Sequence, residues 1–148
     1  VAVACHVSPM DSSLSLRLAL PLPVRGQSAR LQLGANELVL ESDDPLWQAA
    51  LAAARQSYAP YSQGYAAVAL QFEDGRIFCG RYAENAAFNP SLPPMQMACA
   101  HAVLNGEELT TVRRAVLLES KSGQISQRDS AQSTLKALGR VELEYQAV

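Results

Sequence analysis

Hydrophobic and polar residues follow regular periods from Asp44 onward, and these periods predict most of the secondary structure. The first predicted helix begins after Asp44, a favourable N-cap, and has Pro45 in its first position. Small apolar residues then recur at intervals of three and four as far as about Ser57, which gives the helix one apolar face. The residues of that face are Leu46, Ala49, Ala50, Ala53 and Ala54.

The next predicted unit is a β-hairpin. Alternating apolar residues predict a strand over 65–72, and a returning strand over 76–81 follows the turn sequence Glu73-Asp74-Gly75. Beyond the hairpin, apolar periods bounded by proline and glycine predict four more elements. They are a helix over about 95–104, a strand over 112–119, a helix from Asp129 or Ser130 to Leu138, and a strand over 141–145.

The order of these elements predicts an α/β fold. Helix, strand, strand, helix, strand, helix and strand follow one another, so we expect the later strands to pair in parallel through right-handed crossovers. Helices on both faces of such a sheet give a three-layer α/β/α sandwich, and the hairpin makes the sheet mixed. This domain is predicted to cover residues 46–148.

Residues 1–45 show a less regular pattern. The β-branched run Val1–Val7 predicts one strand, and Pro21 and Pro23 stop the alternating leucines before them. Two short apolar pieces within residues 29–40 predict a small hairpin or an extended linker. We therefore expect an N-terminal segment that is separate from the domain.

Composition narrows the class of protein. Of 148 residues, 49% are hydrophobic and 18% are charged, and a net charge of −2 offers no basic surface for nucleic acid. Three cysteines without a CxxC pair indicate reduced thiols and a cytoplasmic protein. No apolar run reaches the roughly 18 residues of a membrane span, and there is no signal-peptide pattern. A start at Val1 instead of methionine suggests a fragment or a processed product.

The stretch from Asp74 to His101 has the layout of a catalytic site at a helix N-terminus. It reads as a turn, a strand, a loop and a buried helix, and such a site needs a reactive group where the helix begins. Residues 93–96, with the sequence PPMQ, occupy that place, and none of them is a nucleophile, a thiolate or a carboxylate. The sequence indicates a catalytic frame without its chemistry.

Residues 46–148 resemble the cytidine/deoxycytidine deaminase family. The resemblance is carried by YAPYS at 58–62, by the alternating strand that follows, and by DGRIFCGRYAENAAF at 74–88. The run NPSLPP at 89–94 is similar to the non-catalytic second domain of the long, two-domain bacterial enzymes. Val1–Pro9 and Leu16–Pro21 are similar to the last strand of the preceding catalytic domain and to the interdomain linker. The resemblance therefore implies that residues 1–45 are the end of that domain and the linker. The residues that match the family's G…E-N-A motif are Gly80, Glu84, Asn85 and Ala86.

The resemblance also implies where the family's chemistry would lie. Working members hold zinc with one His or Cys and two Cys, and a Glu moves protons. The first ligand position falls on Pro94, and the Glu position falls on Gln96, whose amide cannot accept a proton near neutral pH. The family's P-C-x-x-C motif begins at Ser126 and places its ligands at Gln127 and Ser130. We therefore expect no metal site, no catalytic residue and no deaminase activity in this chain alone.

The remaining cysteines and histidines do not rebuild a zinc site. Cys99 and His101 are two residues apart on one predicted helix, so their side chains point roughly 200° apart. Cys5, Cys79 and Cys99 are interpreted as small buried hydrophobic residues, and His101 as a partly buried or surface histidine. An active enzyme with an unusual set of metal ligands is disfavoured for this reason.

Glu84 and Asn85 have two possible roles. Acidic and amide side chains after a strand often fix a loop by accepting hydrogen bonds from backbone N–H groups. Alternatively, the resemblance places Glu84 among the family's ribose contacts, although the Asn that accompanies it there is Tyr82 here. Both roles remain open at this point.

The resemblance implies a scaffold function. We expect the C-terminal, zinc-less half of a homodimeric cytidine deaminase, which packs against its own N-terminal catalytic domain and a second subunit. Zinc and the deamination of cytidine to uridine, a step of pyrimidine salvage, would belong to the catalytic domain. The loop of residues 84–90, with Ala87 and Phe88 as its apolar tip, would complete the active site of the partner subunit.

A second hypothesis is a stand-alone, non-catalytic module that binds a nucleoside. Glu84 favours this hypothesis, whereas Tyr82, Pro93 and Pro94 oppose it because their side chains would fill a nucleoside-sized pocket. Nucleoside binding would distinguish the two hypotheses, because a ligand of the folded state raises the melting temperature.

Overall fold

A computed structural model of the protein describes residues 36–87, 91–139 and 141–148. The predictions for residues 1–35, and the one for Phe88, lie outside these ranges. None of the helices within the described ranges is long and apolar enough to cross a membrane. The helices are α1 Pro45–Arg55, α2 Pro94–Leu104 and α3 Arg128–Leu138; the strands are β1 Ala66–Phe72, β2 Ile77–Arg81, β3 Val112–Glu119 and β4 Leu143–Ala147.

The helices and strands predicted from Asp44 onward are all present, with small shifts of their limits. α3 begins at Arg128, one residue before the earlier of the two predicted starts. The largest shift is in β4, which was predicted over 141–145 and is found two residues later. Its limits are set by parallel pairing with Ala115–Glu119 of β3, which local sequence does not reveal. A short 3-10 turn, Leu109–Thr111, was not predicted.

The sheet is mixed, as predicted, and its strand order is β2-β1-β3-β4. β1 is antiparallel to both of its neighbours, so a second antiparallel pair, β1 with β3, accompanies the predicted hairpin. β3 and β4 pair in parallel, and α3 connects them along the chain. β2 and β3 run in the same direction on either side of β1. The carboxyl-terminal ends of these two strands therefore lie at the same edge of the sheet.

Helices cover both faces of the sheet, which confirms the three-layer α/β/α sandwich. The face toward α1 contains a buried cluster that includes Ala50 and Ala54 of the helix and Val116 and Leu118 of β3. The opposite face packs under α2 and α3. Its buried residues include Val68, Leu70, Phe72, Met95, Ala98, Ala102, Leu117 and Leu135. Alternate side chains of β1 and β3 therefore enter different clusters, as the two-residue period of a strand requires.

α1 begins where the sequence predicts. The Asp44 side chain accepts a hydrogen bond from the backbone N–H of Leu46 at 2.9 Å, which satisfies one of the free amides of the first turn. The preceding segment, residues 36–44, has no helix or strand and packs along α1. Leu38 is buried in the α1 cluster, and the Arg55 Nε donates to its carbonyl at 2.9 Å.

α2 lies very close to the edge strand β2. A Cβ on Gly80 would overlap with the carbonyl oxygen of Pro94 and the backbone of Ala98, so only glycine allows this approach. Side chains of α2 also cover the free edge of the strand. The Arg81 N–H donates to the Met97 sulfur at 3.3 Å, and His101 Nδ1 lies 3.1 Å from the Cys79 carbonyl oxygen. That nitrogen carries the proton of the bond, because a carbonyl oxygen only accepts.

Arg114 joins three separate elements. It lies in β3, and its guanidinium donates at 2.9 Å to both carboxylate oxygens of Glu144 in β4. It also donates at 2.8 Å to Asp44, the N-cap of α1. The Arg114 bond, followed by the Leu46 amide, lowers the pKa of Asp44, and the two carboxylates together raise the pKa of Arg114.

Candidate functional site

The candidate site lies at the edge of the sheet where β1 begins and where β2 and β3 end. The first turns of α2 and α3 follow the loops that leave this edge, and the two helices contact each other. Loops and helix N-termini at one edge of an α/β sheet are the usual place for a binding site. The residues of the deaminase motif that the structure describes therefore lie on the expected side of the fold.

Glu84 is a buried carboxylate that binds the chain's own backbone. Only 5% of the residue is exposed, and its Oε2 accepts from the N–H of Tyr61 at 2.8 Å and of Ser62 at 3.1 Å. The backbone adds two bonds, since the Tyr58 N–H donates to the Tyr82 carbonyl and the Glu84 N–H donates to the Tyr58 carbonyl. Charged hydrogen bonds of this kind are stronger than neutral ones. They hold the turn of residues 58–62 against the end of β2.

Asn85 and Ala87 shape the next loop. The Asn85 side-chain oxygen accepts from the Ala87 N–H at 3.1 Å, which is an Asx turn, and the Asn85 N–H donates to the Ser91 hydroxyl at 2.9 Å. Ala86 and Ala87 are exposed. The loop therefore presents a small apolar surface just before the residue, Phe88, at which the described range is interrupted.

The Tyr82 side chain is packed in the core next to this edge of the sheet. Only 2% of it is exposed, and it belongs to the core cluster under α2 together with Met95. Burial raises the pKa of its hydroxyl above the usual value, which disfavours the charged form. The backbone is also closely packed at Gly123, where an added Cβ would come within 2.8 Å of the Gly64 Cα. The Tyr82 ring thus occupies part of this edge, while a cavity remains beside Gly64, Gly123 and Glu119.

The N-terminus of α2 offers no catalytic group. Pro93 is the N-cap and makes no side-chain bond, Pro94 is buried, and Gln96 is exposed. Further along the helix, burial raises the pKa of Cys99, which is the opposite of what a reactive or metal-binding thiolate requires. His101 is buried, and it lies edge-on to the Phe78 ring besides contacting the Cys79 carbonyl.

The N-terminus of α3 is occupied by a carboxylate from β3 that the sequence pattern did not single out. Glu119 is 5% exposed; one oxygen accepts from the Ser126 hydroxyl at 2.9 Å and the other from the Gln127 N–H at 2.7 Å. An acidic group here is favoured by the helix dipole. Ser130, one turn into the helix, is exposed. The only local signal for this arrangement is an acidic residue that directly follows four apolar residues of a buried strand.

The residues at this edge do not fit a zinc ion. Pro94 has no donor atom on its side chain, Gln127 and Ser130 are poor zinc ligands, and the Glu119 carboxylate is already engaged with the start of α3. Nor do any three His, Cys, Asp or Glu side chains lie close enough for a metal ion, as far as the described part of the chain extends.

Comparison with known protein families gives one matching model, described as the cytidine and deoxycytidylate deaminase zinc-binding region. It matches residues 15–132, which is most of the chain. The matched range contains the positions of Pro94, Gln96, Gln127 and Ser130. The match to a zinc-binding region therefore includes positions whose side chains are poor zinc ligands.

Curated relatives carry the name cytidine deaminase. A protein of Aeromonas hydrophila is 88% identical over 113 residues, which cover 76% of this chain and 39% of that protein. A protein of Shewanella oneidensis is 47% identical over 125 residues, covering 84% of this chain and 42% of the relative. The chain spans about two fifths of the length of these relatives.

Solved structures of similar fold are also cytidine deaminases. The enzyme from Burkholderia pseudomallei aligns with a TM-score of 0.59 and 25% identity, over 72% of this chain and 87% of the solved chain. The enzyme from Mycobacterium leprae aligns with a TM-score of 0.56, also at 25% identity, over 69% of this chain and 84% of the solved chain.

Proposed function

The chain belongs to the cytidine and deoxycytidylate deaminase family, and from this premise we propose that it is the C-terminal, zinc-less structural half of a cytidine deaminase. In this proposal the whole enzyme converts cytidine to uridine by hydrolysis, in pyrimidine salvage in the cytoplasm. Zinc is held by a preceding catalytic domain. The described domain supports a homodimer and helps to complete the active site of the partner subunit.

The observation that carries the proposal is the set of residues at the family's reactive positions. Hydrolytic deamination needs three metal ligands that leave one position for water, and a carboxylate that moves its protons. Pro94, Gln127 and Ser130 supply no such ligand set, and Gln96 cannot act as the base. Since all of these functions are lost together, a scaffold role accounts for the fold better than altered catalysis does.

The lengths of the relatives also support the proposal. The 113 matched residues are 39% of the Aeromonas hydrophila protein, which is therefore about 290 residues long. One domain of this fold fills most of the solved Burkholderia pseudomallei chain. The longer relatives have room for two such domains. Residues 1–45 would then be the end of the catalytic domain together with the linker.

The alternative, a stand-alone nucleoside-binding module, gains little support from the contacts. The Glu84 carboxylate, which would have to meet a ribose, accepts instead from the Tyr61 and Ser62 amides. The Tyr82 ring is buried in the core beside α2. A nucleoside would therefore need to displace internal hydrogen bonds and a packed aromatic ring.

Zinc content and activity of the purified, tag-free chain test the proposal. We expect elemental analysis to find no zinc, even after incubation with zinc and dialysis, and we expect no conversion of cytidine to uridine. The intact Aeromonas hydrophila relative, treated identically, serves as the positive control. One zinc per chain, or turnover by the chain alone, would contradict the scaffold proposal.

The contribution of the 84–90 loop to a partner's active site leads to a second prediction. In the long enzyme that contains this sequence, Phe88→Ala should lower kcat/KM for cytidine at least about tenfold, because an apolar anchor at the tip of the loop is lost. Zinc content should stay the same. Wild-type kinetics with normal zinc would show that the loop takes no part in the site.

A further inference from the structure

Arg81 is a buried cation at the end of the edge strand β2. Only 8% of the residue is exposed, and within residues 36–87, 91–139 and 141–148 it is the one arginine or lysine that is buried. An arginine is almost never buried to this extent without a negative partner, because the removal of its charge from water is costly. A carboxylate beside Arg81 is therefore expected.

No carboxylate in the described ranges pairs with Arg81. Its guanidinium makes one hydrogen bond there, from Nη1 to the Gln56 side-chain oxygen at 2.7 Å. The ion pairs of this part of the chain belong to arginines that are more exposed, namely Arg76, Arg113 and Arg114. Of the 14 Asp and Glu residues, only Asp11 lies outside the described ranges. The most buried arginine is thus left with a neutral amide.

The backbone and side chain of Arg81 are both held in place. Its backbone pairs with Ala67 of β1 and donates to the Met97 sulfur of α2. Because side chains alternate along a strand, the Arg81 side chain lies on the same face as Cys79, toward α1. Gln56, the C-cap of α1, then binds one end of the guanidinium. The charge is therefore presented in one orientation, at the corner between α1 and the end of β2.

The end of α1 favours a cation but does not neutralise one. A helix C-terminus carries a partial negative charge, yet the last carbonyls already accept from other donors. Ala53 and Ala54 accept from the Gln56 amide, and Ala54 also accepts from the Ser57 hydroxyl. Nε and Nη2 of Arg81 keep contact with solvent, since neither is among the fully enclosed unpaired atoms of the described residues. A small anion can therefore reach them, whereas an exposure of 8% is too little for a large ligand.

We propose that Arg81, held by Gln56, is an anion-binding group whose ligand is a carboxylate or a free anion of similar size. A guanidinium binds a carboxylate through two parallel N–H···O bonds, and Nε and Nη2 are the nitrogens left for this pairing. The site is separate from the family's reactive positions at the starts of α2 and α3. A carboxylate from a neighbouring domain would fix the orientation of that domain at this corner, and this source alone rests on the proposed function.

Titration of the full chain with sodium acetate tests the site, with the proton–nitrogen NMR signal of the Arg81 Nε–H group as the readout. We expect the signal to shift and to saturate, with a dissociation constant of roughly 1–50 mM. Arg81→Gln identifies the signal by its loss, and acetate should raise the melting temperature of the wild type more than that of this variant. The matched control is Arg113, an exposed arginine paired with Glu73, whose signal should not saturate. Thermal unfolding also verifies that Arg81→Gln is folded.

Two further proteins distinguish the sources of the anion. Saturation in Asp11→Asn but not in the wild type would show that Asp11 supplies the carboxylate. In the long enzyme that contains this sequence, a retained acetate effect on melting would assign the site to a free anion. Loss of the effect there, with a lower melting temperature for Arg81→Gln than for Arg113→Gln, would assign it to a carboxylate of the other domain.

Two results would overturn the inference. One is an Arg81 signal that does not saturate with acetate or chloride in either the wild type or Asp11→Asn. The other is an Arg113 signal that saturates at the same concentrations, which would indicate a general effect of salt. Neither result would alter the zinc and activity measurements, so failure of the anion site is distinguishable from failure of the scaffold proposal.

Discussion

Glu84 belongs to a deaminase motif, yet its carboxylate is bonded to the chain's own backbone. Both contacts are amides of the turn that precedes β1, and the side chain is buried. The loop-shaping role considered from the sequence describes these bonds, while contact with a ligand stays a prediction. Identity at a motif position thus indicates where a side chain lies, but the bonds it makes depend on its neighbours.

Gly80 is a second residue whose role depends on its neighbours, and Gly80→Ala is expected to destabilise the fold by about 1–3 kcal/mol. The added methyl group would overlap with backbone atoms of Pro94 and Ala98, which cannot move without lifting α2 from β2. Urea unfolding measures the loss.

Gly139→Ala is the matched control for Gly80→Ala. A Cβ there meets no atom within 4 Å and the backbone is extended, so we expect a change within about 0.5 kcal/mol. If the two alanine variants were equally stable, the close approach of α2 to β2 would not be a constraint.

At the scale of elements, the sequence predicts the limits that neighbouring residues set and misses those that contacts between distant residues set. The N-cap Asp44, the turn at Glu73-Asp74-Gly75 and the glycine and proline breaks are signals between near neighbours, and they give the elements within one or two residues. The position of β4 is set by its register with β3, and the start of α3 by a carboxylate eight residues earlier in another element. The register has no local signature, and the cap has only the acidic residue that follows the apolar run of β3.

Glu119→Ala should therefore lower the free energy of unfolding by about 1–3 kcal/mol, because it leaves the Ser126 hydroxyl and the Gln127 amide without their buried acceptor. Fraying of α3 should accompany the loss, which hydrogen exchange of its first turn would detect. The control is Glu142→Ala, at an exposed residue, with an expected change within about 0.5 kcal/mol. Equal effects of the two variants would argue against a cap from β3.

At the scale of the whole molecule, Arg114 connects layers that are distant in sequence. It pairs with Asp44, 70 residues away, and with Glu144, 30 residues away. The sequence places Arg114 within the strand predicted over 112–119, and only the packed fold shows that it joins α1 to both strands. The candidate site likewise contains contacts that only the packed fold reveals. The assignment of the family's zinc positions to Pro94, Gln127 and Ser130 came from residue types and stays a prediction, while the internal use of Glu84 and Glu119 required the fold.

The charge of Asp44 should make stability depend on pH. Its pKa is lowered in the folded state, first by the Arg114 bond and then by the Leu46 amide, so its contribution is present above its unfolded pKa of about 3.9 and is lost as the pH falls through the folded pKa. Asp44→Asn keeps an N-cap acceptor and removes the charge. We expect the variant to be less stable than wild type at pH 7, and the difference to shrink below about pH 4. A difference that stays constant with pH would show that the carboxylate charge has no net effect.

The coverage of β2 by α2 limits how the molecule can grow into larger assemblies. A free edge strand is a template on which foreign strands can stack into fibres. Here the outward Arg81 amide points to the Met97 sulfur, and the outward Cys79 carbonyl meets the His101 ring. The side chains of one helix thus make this edge unreceptive to a strand from a neighbouring molecule. Addition of a strand at β2 would first have to detach α2, so any cross-β growth there would begin with partial unfolding.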